Sequence, residues 1–565
     1  MRIGTGGRTA WRRLYTLVLI AAGAGAAGAC DREPRGEPSA QIREVVSQAS
    51  RPTLRLANGD TLQLSPAVVA FYRERGYRQA WTDYDEILGR GKRLLGLMGR
   101  TEADGLDPGA YRYAVAERMV MQVEEDSLKE SQEPGQMSRV DMALSEVFAR
   151  YASHLARGTV DPKESGLDWR IPPDTAPVGR LLRAAANDED PARLIAGLRP
   201  TSPEYRRLQE ALARYERIQA QGGWPTVPAK TTVKVGASGV GVGALRARLI
   251  AEGDPVEKPL AEAGNASPNS VDRRLREALE HFQRRHGLDA GGGLGPQTVA
   301  ALNVPVEQRV LQLKLNLDRW RWLPRNLGQR YVLVNVAGFD MDVVDGGKVV
   351  MNQNVVVGQQ GWETPIFRDT MEAIEINPTW TVPPSIAEKE IIPAIQRDPG
   401  YLQAENFEVL RGGHAVGGSS ISAAALASGD VVIRQRPGPK NALGQVKFLF
   451  PNKDDIYLHD TPADRLFSES DRAFSHGCIR VEKPVELAHL IMRMATDVPP
   501  ERFEQLRATG ETHDIRLARP LPIYILYFTS WVEDDGSVRF YQDVYRQDRQ
   551  LDEQAREKLE RVAAR

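Results

Sequence analysis

The chain has 565 residues, too many for one hydrophobic core, and length alone predicts about three or four domains. Its 74 Lys and Arg offset 75 Asp and Glu to a net charge of −1, which excludes a global field drawing it to nucleic acid or anionic lipid. The 36 prolines and 50 glycines are spread along the chain rather than gathered in one block, which excludes intrinsic disorder as its general state.

Residues 1–30 read as a targeting leader. Arg2, Arg8, Arg12 and Arg13 form a positive segment, Leu14 to Ile20 an apolar one, and a run of small residues from Ala21 to Ala29 ends at Cys30. The apolar stretch is about sixteen residues, short of the roughly twenty that span a bilayer. Ala27-Gly28-Ala29-Cys30 resembles a bacterial lipobox, in which the cysteine becomes the lipidated first residue of the mature protein. Asp31 resembles the signal that keeps some lipoproteins at the inner membrane. The expectation is an exported protein in the periplasm of a Gram-negative bacterium, with an inner-membrane anchor through Cys30.

Residues 31–51 are polar and read as a tether. Residues 52–228 carry apolar residues at three/four spacing from Ala67 to Tyr77, Asp85 to Met98, Asp141 to Ala156 and Tyr205 to Ile218, predicting a helical scaffold. His154 follows the apolar pattern of its helix and reads as a core histidine. A boundary at Gly222-Gly223-Trp224-Pro225 precedes residues 229–305, where helices are expected over Val242 to Ile250 and Val271 to His286. Phe282-Gln283-Arg284-Arg285-His286-Gly287-Leu288 and the ending Gly295-Pro296-Gln297-Thr298 through Leu302-Asn303 resemble the three-helix peptidoglycan-binding module. Thr298 is placed to cap or staple the last helix. Residues 306–329 read as a linker helix.

From Arg330 the period becomes strand-like, predicting a β-rich domain over 330–530. Strands are expected over Tyr331 to Val336, Phe339 to Val344, Lys348 to Val357, Thr370 to Ile376, Val431 to Arg436 and Val446 to Phe450. Residues 384–429 read as an inserted lid whose helix opens with a Ser385-x-x-Glu388 capping box. Residues 531–565 read as a C-terminal extension. The fold class is therefore multi-domain α+β.

Cys478 is the one cysteine beyond Cys30, and an exported thiol without a partner points to chemistry rather than a disulfide. His459 lies nineteen residues upstream, at the end of a strand-like Asp455 to Asp460. Ser475-His476-Gly477 reads as a tight loop that delivers Cys478 to the strand Ile479-Arg480-Val481, with Pro484 opening a helix behind it. Neighbouring strands would set the imidazole beside the thiol, and the imidazole would take the proton to leave a thiolate–imidazolium pair. The N–H groups of Gly477 and Cys478 are the candidate oxyanion donors, with His476 as an orienting neighbour. Arg480, on the face of Cys478, is placed to meet a substrate carboxylate.

His459-Asp460 with Ser475-His476-Gly477-Cys478-Ile479-Arg480 resembles the signature of the L,D-transpeptidase catalytic domain. Asn377-Pro378-Thr379-Trp380-Thr381-Val382-Pro383 and Asp471-Arg472-Ala473-Phe474 resemble segments of its large, multi-domain members. Asp460 stands where the shorter members carry Gly. The resemblance implies attack by Cys478 on the third residue of a peptidoglycan tetrapeptide, release of D-Ala, and resolution of the thioester by an acceptor amine into a 3→3 cross-link. It implies His459 as base for the thiol and later for the acceptor amine, carbapenem acylation, and no metal or other cofactor. Tyr457, Trp380 and Asn377 are carried as substrate-binding candidates beside Arg480, and Ser475 as an orienting residue. Stem peptides, glycan and other wall-synthesis proteins are the expected partners.

Three other readings stay open on the residues. Water in place of the amine would make an L,D-carboxypeptidase or endopeptidase. A non-catalytic wall-binding anchor would make Cys478 incidental. Zinc on His459, His476, Cys478 and His489 is disfavoured by the His476-x-Cys478 spacing and by the apolar helix that explains His489.

Overall fold

The computed structural model describes residues 39–48, 52–56, 59, 61–83, 86–128, 135–255, 269–418 and 421–563. The leader with Cys30, and residues 256–268, lie outside them. The fold is α+β, with a helical N-terminal region and a β-rich C-terminal one. Two compact units divide the chain: residues up to 95 with 115–146 and 182–190 form the smaller, and 96–114, 147–181 and 191–565 the larger.

A buried carboxylate organises the smaller unit. Asp141 accepts the backbone N–H groups of Ala80, Trp81 and Thr82 at 3.0, 2.7 and 2.9 Å, and the Tyr72 hydroxyl at 2.6 Å. A segment without regular structure is thereby tied to the helix Gln136–Arg157. Part of the expected tether is ordered here: Ala40–Val46 is a helix whose Ser39 cap accepts the Ile42 N–H at 3.2 Å, and it buries Ile42, Val45 and Val46. Three apolar positions on one face suffice for this turn, and the polar composition around them hides it.

In the larger unit, Pro203–Ala220 and Val306–Arg321 pack as helices into the same core as the β-rich region. Leu313, Leu317 and Trp320 are buried there, so Val306–Arg321 is a core element rather than a linker. Val240–Glu252, Arg273–Arg285 and Pro296–Leu302 make a three-helix module with its own apolar centre. Gly295, not Thr298, holds the cap position of the last helix; Thr298 is buried and its hydroxyl accepts Gln283 Nε2 at 3.1 Å, stapling two helices together. Arg285 fastens the module: its guanidinium meets Asp254 at 2.7 Å and Glu252 at 2.8 Å, and donates to the Val538 carbonyl at 3.0 Å.

The principal sheet runs Ala473–Ser475, Lys348–Gly358, Ile479–Val481, Leu458–His459, Val446–Leu449, Phe367–Ile376, His513–Leu526, Tyr331–Asn335, Asp340–Asp345. The last strand pairs back onto Lys348–Gly358, so eight strands close in a ring and lose their free edges. Where Pro520 interrupts His513–Leu526, the register against Phe367–Ile376 shifts between Arg516 and Leu521, as a residue without an N–H requires. The segment read as a C-terminal extension belongs to this core: Ser530–Val532 pairs with Val538–Phe540, and Val532, Val538, Phe540 and Leu551 are buried in it. The insertion is wider than 384–429. Trp380–Thr381, Val432–Gln435, Phe407–Arg411 and His414–Val416 form a separate sheet around Val382, Ile386, Ile391, Val409 and Ile433. Val431 to Arg436 thus belongs to the insertion and not to the ring. The capping box is absent too: Pro383 occupies the cap position, and Ser385 lies inside the short turn Pro384–Ile386.

Candidate active site

Leu458–His459 and Ile479–Val481 pair in parallel, with Leu458 opposite Ile479 and His459 opposite Arg480. Leu458 and Ile479 are fully buried, so alternation turns Tyr457, His459, Cys478 and Arg480 to the other face. All four line one cleft of about 1100 Å³, whose wall also holds Trp362, Trp380, Glu390, Lys447, Ser475 and His476. The expected strand from Asp455 is only two residues long. Asn452 Oδ1 accepts the N–H groups of Asp454 and Ile456 at 3.1 and 3.0 Å, and Asp455 takes a left-handed φ of 51°, so the chain turns until Tyr457.

The loop before the nucleophile is stapled from within. Ser475 Oγ accepts the Gly477 N–H at 3.1 Å and donates to the Cys478 carbonyl at 2.5 Å. Thr364 Oγ1 donates to the Gly477 carbonyl at 2.8 Å. Gly477 has φ 112°, where a side chain is strained. These bonds correct one sequence expectation. The Gly477 N–H is committed to Ser475 and cannot serve an oxyanion, whereas the Cys478 N–H has no acceptor among the described residues.

Burial pushes the Cys478 thiol above its ordinary range, opposed by hydrogen bonds from the Tyr457 backbone and phenol and by the charges of Lys447 and Arg480. Burial also raises the Tyr457 phenol, followed by the nearby thiolate, so this group stays protonated and donates to sulfur. His459 is 4 % exposed and its pKa is pushed down to about 3, first by burial and then by the Arg480 charge. Its Nδ1 bonds the Asp460 carbonyl at 2.5 Å, which fixes the tautomer with Nε2 free to accept. The resting site is therefore neutral thiol and neutral imidazole rather than an ion pair.

The remaining candidates separate. Arg480 has a buried Nε with no hydrogen-bond partner, the condition of a guanidinium awaiting an anion. Trp380 lines the cleft from the insertion, beside Phe407. Asn377 does not line it. Its Nδ2 donates to the Arg507 and Glu511 carbonyls at 3.0 and 3.2 Å, and its φ is 49°, so it locks a strand end to the next helix as a structural corner. His489 also lies outside the cleft, 3.0 Å from Glu504. His154 bonds the Tyr111 hydroxyl at 2.9 Å. Sequence reading missed Lys447, Glu390, Trp362 and Thr364. Only Lys447 carried a signal, a single charge alternating with Val446 and Phe448. Asp460 holds the turn beside the site, accepting the Gln445 and Thr461 N–H groups at 2.7 Å each.

Residues 66–212 match the family model of a scaffold domain, and residues 329–500 that of the L,D-transpeptidase catalytic domain. A Haemophilus influenzae protein named "Putative L,D-transpeptidase" is 30% identical over 293 residues, covering 50% of this chain and 59% of the relative. The chain thus spans less than two thirds of that relative's length. Among solved structures, the L,D-transpeptidase from Stackebrandtia nassauensis has 14% identity and TM-score 0.20, covering 54% of this chain and 96% of that one. The one from Xylanimonas cellulosilytica has 15% identity and TM-score 0.16, covering 53% and 99%. Residues 329–500, which match the L,D-transpeptidase catalytic-domain model, carry both His459 and Cys478.

Proposed function

We propose that this chain is a cysteine acyltransferase that forms 3→3 cross-links between peptidoglycan stem peptides. The observation that carries the reading is one cleft holding a thiol, a neutral buried imidazole and a guanidinium whose buried Nε has no hydrogen-bond partner, in a domain that matches the L,D-transpeptidase model. Arg480 would pair with a carboxylate of the tetrapeptide donor. Sγ of Cys478 attacks the carbonyl of the third residue as His459 Nε2 takes the thiol proton. The developing oxyanion is met by the Cys478 N–H, a donor that contributes about 3–4 kcal/mol when well placed. The imidazolium returns its proton to the departing D-Ala amine, and the C–N bond breaks to leave a thioester. An acceptor amine then replaces sulfur. The three-helix module is assigned to glycan binding, and the leader to export into the periplasm with Cys30 as lipid anchor.

The test uses the chain from Asp31 onward with a disaccharide-tetrapeptide, read by mass spectrometry. A dimer mass less one D-Ala supports transpeptidation. Tripeptide alone would replace it with hydrolysis, and no turnover with Cys478 still reduced would leave a wall-binding role.

A further inference from the structure

The insertion brings one charged turn to the catalytic loop. Glu390 lies on a π-helical segment, Ala387–Ile391, a conformation rare outside functional positions. Its Oε1 is 2.7 Å from His476 Nε2. The neighbouring Lys389 sets its Nζ 4.5 Å from the centre of the Trp362 ring, and that ring meets His476 edge-on at 4.9 Å. A carboxylate on Nε2 holds the proton there and leaves the lone pair on Nδ1. Among the described residues, His476 Nδ1 has no hydrogen-bond partner.

The two histidines of the cleft are thus prepared differently. His459 is closed off from solvent beside Arg480 and Lys447, a poor place to accept a proton from a solvated ammonium. The His476 side chain is 24% exposed, and Glu390 is in contact with its Nε2.

We propose that His476, held by Glu390 of the insertion, is the base for the acceptor, while His459 serves the thiol. This rests on the transpeptidase reading. Nδ1 takes one proton from the acceptor ammonium, and the freed lone pair attacks the thioester carbonyl. The C–N bond forms, the C–S bond breaks, and the second amine proton passes to the departing sulfur. His476 then sheds its proton to water. The charged and titratable groups around the pair are Lys389 on the same turn, Tyr401 of the insertion, and Arg480 and the thiol of Cys478 from the catalytic strand. Both cations favour the neutral amine over the ammonium. The insertion in this view completes the acceptor side of the site, and Glu390 is a positioning residue.

The experiment preforms the acyl-enzyme of the full chain with a disaccharide-tetrapeptide, adds a second disaccharide peptide bearing a free side-chain amine, and follows thioester decay by mass. In E390Q the decay by acceptor should be roughly tenfold or more slower than wild type at pH 7, with acyl-enzyme accumulating. The deficit should narrow towards pH 10, where the acceptor loses its proton unaided, and E390D should recover part of it. Decay at the wild-type rate would overturn the proposal. So would equal slowing of thioester formation and decay with no pH dependence, which would assign Glu390 to holding the insertion in place. A wild-type enzyme that gives tripeptide with every acceptor removes the transpeptidase reading and this proposal together, whereas dimers formed by E390Q at the wild-type rate remove only the proposal.

Discussion

On the ring side of the cleft, Tyr457, His459, Cys478 and Arg480 hang from two strands whose pairing with buried Leu458 and Ile479 sets their spacing. On the opposite side, Trp380, Glu390 and Phe407 belong to a subdomain with its own sheet and apolar centre. The ring side is held by side chains that each contribute about 1.5–3 kcal/mol on burial, and it meets the insertion here through polar contacts such as Glu390 with His476. The four strand-borne groups thus rest on the continuous core of the ring, and the facing groups on a separate, smaller one.

The sharpest break of this comparison is Cys478→Ala. Acylation by a carbapenem, read as adduct mass, should fall by about 10⁴-fold or more, while Tm shifts by no more than about 4 °C. Retained adduct would remove the ring side from the chemistry altogether. His459→Ala should slow acylation by about 10²- to 10⁴-fold, and the residual rate should climb with pH towards the raised thiol pKa. The same variant has a stability signature. With a folded pKa of about 3 against about 6.5 unfolded, His459 makes the unfolded chain bind more protons between those values. Stability is thus unaffected above pH 6.5 and lost on acidification through that window. The variant should flatten this slope in a pH series of denaturant melts.

Arg480→Met tests whether the ring side also binds. Loss of a charge-assisted contact predicts a tenfold to hundredfold drop in kcat/KM for the tetrapeptide donor, and less for a donor amidated at the recognised carboxylate. An equal drop for both donors would argue for a packing role. The smallest effect on activity is expected from Asn377→Ala. Removal of its bonds to the Arg507 and Glu511 carbonyls should cost about 1–3 kcal/mol in unfolding free energy, with KM for the donor within about twofold. A large KM change would return Asn377 to the substrate site.

The chemistry of the site was legible because it is local in sequence. Ser475 to Arg480 sits in one loop and strand, and His459 ends another, so alternation alone placed them on one face. What escaped was set by distant partners. The Gly477 N–H looked free until Ser475 Oγ was seen to bond it, and Glu390 reaches His476 across 86 positions of chain. Val431 to Arg436 has strand composition, but nothing in it states which sheet it joins. Likewise the polar tail after 530 hides Val532, Val538, Phe540 and Leu551, because each strand there is only three residues long, too short for its alternation to stand out.

The ionic fastening of the three-helix module bears on how such proteins diversify. Arg285, Glu252 and Asp254 are buried together, and Arg285 also grips the Val538 carbonyl. All three charges belong to the module and would leave with it on recombination, so the ring would lose only the hydrogen bond at the Val538 carbonyl, about 1 kcal/mol. The buried ion pairs are thus an internal matter of the module, and what the ring asks of a replacement is one donor aimed at Val538 rather than a charge.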